Sequence, residues 1–283
     1  MNNIKNFLFE TNALKICPEN KPFWYTSGKI GPCFINAHFM YGSEENSAQL
    51  LSLIDEVKDK PFECPKLVLE QTIKNYEENS IYKEVIDSMI KIATNDIGVD
   101  NIDYISGGER RDWFFSLLVA YKLQKPHITI FKDLTCILTD YEGNNAQDLP
   151  SIEGKTSLHI ADLITVASSY ERAWIPAIKE HDGDIKWSIA VVDRLQGGKE
   201  ILANQGVTSY ALVNMDKALF DTALETNVIN PAQYDMIINF INDPDGSMKE
   251  FVKSHPEFIE NALNADEKTA GRAKLCLEKG FYA

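Results

Sequence analysis

Apolar residues in the first part of the chain recur at helical spacing. Leu50, Leu51, Leu53, Ile54 and Val57 share one face within Ser47–Val57, and Ile73, Tyr76, Val85, Ile86, Met89, Ile90 and Ile92 repeat the pattern. Between Trp24 and Gly42 glycine and proline break that texture. There Phe34-Ile-Asn-Ala-His-Phe39, flanked by Gly31-Pro32 and Gly42, reads as a strand leaving a turn. From about residue 100 to 215 the pattern changes. Short apolar runs at Ile102–Ile105, His127–Phe131, Ser157–Ala161, Trp187–Val192 and Val207–Leu212 alternate with helical segments at Asp112–Leu123, Ser168–Glu180 and Lys199–Asn204. That rhythm predicts an α/β fold, a parallel sheet with crossover helices. One connection is too long for it: Asp133–Gly154 is 22 residues of polar, Gly- and Asn-bearing sequence. A loop of that length is usually functional or disordered. Beyond Asp216 the chain turns helical again, punctuated at Asn230-Pro231, Asp243-Pro244-Asp245-Gly246 and His255-Pro256. Three regions are expected: a helical region at 1–95 with its interruption at about 20–42, an α/β core at 96–215, and a C-terminal helical extension at 216–283.

Charge narrows the partners. The 283 residues carry 28 Lys+Arg against 42 Asp+Glu, a net charge of −14, and no basic run forms a local patch. Such a chain repels phosphate backbones and anionic lipid, so nucleic acid is excluded as a main partner. The apolar stretches, Phe114–Tyr121 among them, fall far short of the roughly 20 residues that span a bilayer. The first ten residues lack the apolar core of a signal peptide. Five scattered cysteines without a Cys-x-x-Cys pair, and five histidines without ligand spacing, argue against disulfides and structural zinc. The expectation is a cytoplasmic protein with no metal held by its own side chains and a small-molecule partner.

Three segments carry chemistry. In Thr156-Ser-Leu-His-Ile-Ala-Asp-Leu-Ile-Thr-Val-Ala-Ser-Ser-Tyr-Glu-Arg172 a strand is expected to end near Ala161, with Asp162 and Thr165 in a loop and a helix starting near Ser168. Helix-start amides and hydroxyls suit a phosphate, and an acid at the strand end can accept from sugar hydroxyls. Ser168-Ser-Tyr-Glu171 equally fits a capping box, which a helix start needs regardless of function. In Ile102-Asp-Tyr-Ile-Ser-Gly-Gly-Glu-Arg-Arg-Asp-Trp113 the glycines let backbone approach a ligand, and Arg110 and Arg111 can face an anion. A tight turn before a helix explains the same glycines. In Val191-Val-Asp-Arg-Leu-Gln-Gly-Gly198, Arg194 suits a carboxylate, with a surface Asp–Arg turn as the competing account. All three loops fall at the carboxyl edge of one parallel sheet, where ligands of open α/β sheets bind.

In this order the segments resemble the orotate phosphoribosyltransferases, of the type I phosphoribosyltransferase family. Phe23-Trp-Tyr-Thr-Ser-Gly-Lys-Ile-Gly-Pro-Cys-Phe-Ile-Asn-Ala37 is similar to the family's N-terminal Ser-Gly…Pro…Phe-x-Asn stretch. The Gly-Gly-Glu-Arg loop, the long loop after Phe131-Lys132, the Asp162…Thr165 loop and the Asp193-Arg194…Gly-Gly turn follow. The likeness covers roughly residues 20–215. It implies a parallel-sheet phosphoribosyltransferase fold with an N-terminal hood, to which this chain adds helices at both ends. It further implies transfer of a phosphoribosyl group from phosphoribosyl pyrophosphate (PRPP) to orotate, Mg²⁺ bound through PRPP, and a homodimer. By motif position Asp162, the catalytic residue, would meet the ribose hydroxyls, and Thr165, Val166, Ala167, Ser168 and Ser169 would cradle the 5′-phosphate. Lys132, Arg110 and Arg111 would face the pyrophosphate, while Phe34, Ile35 and Arg194 would frame the base.

The departures bear on activity. One of two adjacent family acids is Ala161 here, a family glycine is Ala167, an Arg-Lys pair is Phe131-Lys132, and a hood lysine is Thr26. The segment Asp133–Glu153, where the family places Lys and His, holds Asp133, Asp140, Glu142, Asp148 and Glu153 and no Lys, Arg or His. A leaving pyrophosphate needs positive charge. The expectation is a protein that binds PRPP or a ribose-5-phosphate nucleotide and transfers weakly, with a catalytically degenerate nucleotide-binding regulator as the alternative.

Overall fold

The computed structural model describes residues 2–282. Helix α1 (Asn2–Glu10) leads into four very short strands, β1 (Leu14–Ile16), β2 (Phe23–Trp24), β3 (Ile30–Gly31) and β4 (Cys33–Ile35). β1 pairs antiparallel with β4, and β2 with β3. The strand expected over 34–39 stops at Ile35. Ala37–Tyr41 instead forms a 3₁₀ turn whose residues are all buried, so the two-residue alternation that sustains a half-exposed strand has no solvent face to serve.

Three helices follow, α2 (Glu44–Val57), α3 (Cys64–Glu78) and α4 (Ser80–Ile92). Ser43 and Asn79 cap α2 and α4 by accepting from the backbone N–H groups of Asn46 and Tyr82. The α/β part then alternates β5 (Tyr104–Gly108), α5 (Trp113–Leu123), β6 (His127–Ile130), β7 (Cys136–Thr139), β8 (Gln147–Asp148), β9 (Thr156–Ile164), α6 (Ile175–Glu180), β10 (Asp184–Asp193), α7 (Gly198–Asn204) and β11 (Thr208–Asn214). These seven strands form one sheet in the order β11-β10-β9-β5-β6-β7-β8. The pairs from β11 to β6 are parallel, and β7 and β8 add antiparallel at the edge. The fold is α/β.

Burial explains the middle of this sheet. Trp113 to Ala120 are all buried, so α5 is apolar on every side, packing on β5 and β9 while α3 and α4 cover it. Tyr170, Trp174, Ile175 and Ile178 pack with Ile128, Ile130, Ala161 and Ala190 in a second apolar cluster.

The long connection is not a loop. Asp133–Gly154 contains β7 and β8, joined by a turn built on Asp140. Its Oδ1 accepts the backbone N–H groups of Glu142 and Asn144, its Oδ2 accepts from Asn145, and Gly143 takes φ +75°. β9 also runs past Ala161 to Ile164, so Asp162 lies within the strand. The helix begins at Ser168, as expected, passes through a π turn at Tyr170–Trp174 and continues as α-helix from Ile175. The Glu171 N–H donates to the Ala167 carbonyl at 3.2 Å, and no hydrogen bond ties it to the Ser168 hydroxyl among the described residues, so the capping box is not formed.

The residues group into two compact units: Met1–Ala13 with Ala37–Met215, and Leu14–Asn36 with Asp216–Ala283. The second holds the four short strands and helices α8 (Lys217–Glu225), α9 (Pro231–Asn242), α10 (Pro244–Ser254), α11 (Glu257–Leu263) and α12 (Glu267–Glu278). Within it Lys29 pairs with Asp245 at 2.7 Å, and Trp24 stacks on Phe258 at 5.4 Å. Among the described residues no helix is long and apolar enough to cross a membrane.

Candidate functional site

A cleft of about 600 Å³ opens where β5, β6 and β9, three neighbours in the sheet, reach their carboxyl ends. Each strand delivers its charged residues through a specific local device. β5 ends in Gly107-Gly108, both buried, where a Cβ would collide with the Ser116 hydroxyl and the Trp174 ring respectively. The chain then turns back on itself: Asp112 Oδ2 accepts the Gly108 N–H at 3.1 Å, and Trp113 Nε1 donates to the Gly107 carbonyl at 3.0 Å. The bulky Trp113 is therefore core, packed edge-on against Phe131 at 5.0 Å. Glu109, Arg110 and Arg111 are left lining the cleft. From β6 comes Lys132, whose backbone N–H donates to Glu109 Oε2 at 2.9 Å.

β9 supplies Asp162, then the loop Thr165–Ser169. The loop is anchored from behind by the Gly198 N–H, donating to the Thr165 carbonyl at 3.1 Å. A Cβ on Gly198 would stand 2.7 Å from that oxygen, which is why the chain needs glycine there. Ala167 adopts φ +48°, the left-handed region that favours glycine.

The electrostatics are mixed. Lys58, Arg110, Arg111 and Lys132 line the cleft together with Asp55, Glu109, Asp112 and Asp162. Burial first, and then the nearby Asp112 carboxylate, push the Asp162 carboxyl above the usual range, with Arg111 opposing. Behind Asp112 lies fully buried His159. Its Nε2 is 3.5 Å from Asp112 Oδ2 and its Nδ1 is 3.0 Å from the Ser106 hydroxyl. The chain of Ser106, His159 and Asp112 looks like a nucleophile and its base, but Ser106 is fully buried and cannot meet a substrate. Tyr170 closes the wall, its hydroxyl 2.5 Å from Ser188 and its ring edge-on to His159. Burial, with the charges of Arg111 and Arg110, pushes the His38 imidazole down to about 3 and keeps it neutral.

The cleft thus brings together Asp162, Thr165, Val166, Ala167, Ser168, Ser169, Lys132, Arg110 and Arg111. Arg194 is not among its lining residues. Its backbone N–H donates to the Ile164 carbonyl at 2.9 Å, while Asp193 turns inward to accept from the Leu195 N–H at 2.8 Å. Phe34 and Ile35 belong to the other compact unit. Sequence reasoning missed Asp55, Lys58, Glu109, Asp112, Tyr170 and Trp174. Glu109 and Asp112 lay inside a segment already singled out and were legible as its remaining charges. Asp55 and Lys58 look like an ordinary solvated helix end.

No protein-family model matches the chain, and no curated protein matches it. Solved structures do. The orotate phosphoribosyltransferase of Aeropyrum pernix is 15% identical with a TM-score of 0.51, over 77% of this chain and 98% of that one. That of Francisella tularensis is 16% identical with a TM-score of 0.51, over 83% and 95%. Leishmania donovani UMP synthase is 14% identical with a TM-score of 0.51, and this chain covers 42% of it. At this identity the likeness is one of fold: the chain folds as these phosphoribosyltransferases do.

Proposed function

We propose that this phosphoribosyltransferase-fold chain binds a phosphoribosyl ligand, PRPP or a ribose-5-phosphate nucleotide, in the cleft at the ends of β5, β6 and β9. One observation carries the reading: two arginines, a lysine, an acid within β9 and a Ser/Thr-bearing loop reach a single cleft from three adjacent strands. In this reading the Thr165–Ser169 loop takes the 5′-phosphate, Asp162 the ribose hydroxyls, and Arg110, Arg111 and Lys132 the pyrophosphate. Arg194 takes the base by resemblance, orotate being the carboxylated pyrimidine that a guanidinium would select. Transfer would break the bond from ribose C1′ to the pyrophosphate oxygen and form one from C1′ to a base nitrogen.

Mg²⁺ fits such a site as part of the ligand. Its ligands would be phosphate oxygens and water, since both Asp112 oxygens already accept backbone N–H groups. When bound it would neutralise charge on the leaving pyrophosphate. Transfer is proposed to be slow, and the acidic segment Asp133–Glu153 favours a binding or regulatory role over a metabolic one. The five buried free thiols agree with a reducing, cytoplasmic setting. The homodimer rests on the family likeness.

Isothermal titration with PRPP, orotate and orotidine monophosphate, each with and without Mg²⁺, tests the reading. PRPP or the nucleotide should bind, and Arg194→Ala should cost orotate far more than PRPP. Absence of binding by every phosphoribosyl ligand would sink the proposal.

A further inference from the structure

The rim of the cleft holds two charged residues, Asp55 and Lys58, that neither the fold nor the proposed ligand contacts account for. Asp55 lies in the last turn of α2 and Lys58 is its C-cap residue. The carboxyl end of a helix disfavours an acid, so Asp55 needs cations beside it. It has two: Lys58 Nζ at 2.8 Å, and the Arg110 guanidinium, which donates to its Oδ2. The hydrogen bond from Lys58 first, and Arg110 as well, hold the Asp55 carboxyl below its ordinary range. All three side chains line the same cleft, and they are 44%, 34% and 35% exposed for Asp55, Lys58 and Arg110. Ion pairs so open to water are weak and exchange readily. Arg111 and Lys132, by contrast, make no ion pair among the described residues.

We propose that Asp55 is a built-in competitor for the cleft's anionic ligand: it engages Arg110 and Lys58, and a polyphosphate displaces it and takes Lys58 as a further contact. The inference rests on the reading of the cleft as a phosphoribosyl site. An N–H group of Arg110 that serves the Asp55 carboxylate cannot serve a phosphate oxygen at the same time. A multiply charged pyrophosphate outbids one carboxylate in water, whereas a monoanion does not. Asp55 thereby sets a threshold of ligand charge, and Lys58 adds a cation that the acidic edge of the sheet does not supply.

Titration of the full chain with inorganic pyrophosphate, and separately with ribose 5-phosphate, decides it. Asp55→Asn should tighten pyrophosphate binding by about 2- to 10-fold, and Asp55→Glu should return it to the parent value. Lys58→Ala should weaken it by about 3- to 10-fold. Asp55 is exposed and Lys58 half-exposed, so thermal melts of the three variants should coincide with the parent. A binding curve unchanged or weakened by Asp55→Asn, or untouched by Lys58→Ala, overturns the inference. If ribose 5-phosphate binds while neither the parent nor Asp55→Asn takes pyrophosphate, this inference alone fails. If neither ligand binds any of the proteins, the reading of the cleft fails with it.

Discussion

Asp112 Oδ1 accepts the backbone N–H of Asp162 at 3.1 Å, which sets two carboxylates side by side at the cleft wall. The other oxygen of Asp112 is held by the Gly108 N–H and faces buried His159. Asp112 thus accepts two backbone amides, and its charge adds to burial in raising the Asp162 carboxyl.

That asymmetry has a pH signature. The folded-state pKa of Asp162 is raised, by burial and then by Asp112. A raised acid contributes stability that is complete below its unfolded pKa of about 3.9 and is lost as pH climbs through the folded value. Asp162→Asn copies the protonated form. At pH 8 it should be more stable than the parent by on the order of 1–2 kcal/mol, as removal of strain at functional sites commonly gives. Near pH 4 the two should converge. Thermal unfolding from pH 4 to 8 measures this, and identical pH profiles would refute the assignment.

The sheet was legible because its central strands β5, β6, β9 and β10 are largely buried and read as apolar runs separated by helical segments. The site residues on β5 and β9 were legible for the same reason: they are the polar residues that interrupt those runs. What escaped was local. The turn on Asp140 that folds Asp133–Gly154 into β7 and β8 depends on side-chain acceptance of backbone N–H groups, which no apolar pattern reports. Asp55 and Lys58 escaped because their role depends on where α2 packs. The role of Gly198 also escaped, since its packing against the Thr165 carbonyl depends on where β9 and α7 meet.

The loop that follows Asp162 turns on one residue. Ala167 at φ +48° is an L-residue in the left-handed region, costing roughly 1–2 kcal/mol, of which the entropy lost by a glycine would cancel about 0.5–1. Ala167→Gly should be neutral to about 1 kcal/mol stabilising, and Ala167→Val, β-branched, should lose more than about 1 kcal/mol. Ser168→Pro is harsher, since proline drives the preceding residue out of helical backbone regions. It should leave a folded protein that binds ribose 5-phosphate about 1–3 kcal/mol more weakly through the lost N–H and the reshaped loop. Denaturant melts and calorimetry read the three variants, and unchanged affinity in folded Ser168→Pro would remove the loop from the site.

Gly108 fixes the opposite wall. A methyl group there would collide with the Trp174 ring, which lines the cleft and packs with Ile175 and Ile178. Gly108→Ala should therefore destabilise by about 1–3 kcal/mol, the usual cost of overpacking. The displaced indole should appear as a shift in tryptophan fluorescence. A stable variant with unaltered emission would show that Trp174 yields freely and that the wall is not set by this contact.

The rate of transfer is where the folded edge of the sheet matters most. Expulsion of pyrophosphate needs preorganised positive charge at the departing oxygens. Here the segment after Lys132 is committed to pairing: Cys136–Thr139 zips antiparallel along Ile130–His127, and Gln147–Asp148 adds outside it. It carries five carboxylates and no basic side chain, and Asp140 is spent on its own turn. A strand held by sheet hydrogen bonds is not free to fold over a ligand, and this one would bring the wrong charge if it did. Loss of one oriented electrostatic contact typically costs 10²–10³ in rate, and Lys58 at the far rim restores at most one. A steady-state assay with PRPP, orotate and Mg²⁺ should give turnover well below the common enzyme range of about 1–10³ s⁻¹. Substituting lysine at Asn144 or Asn145, in the β7–β8 turn, should not raise it, because that turn is fixed through Asp140. Turnover within the ordinary range would restore a full transferase and place its catalytic cations among Arg110, Arg111, Lys132 and Lys58.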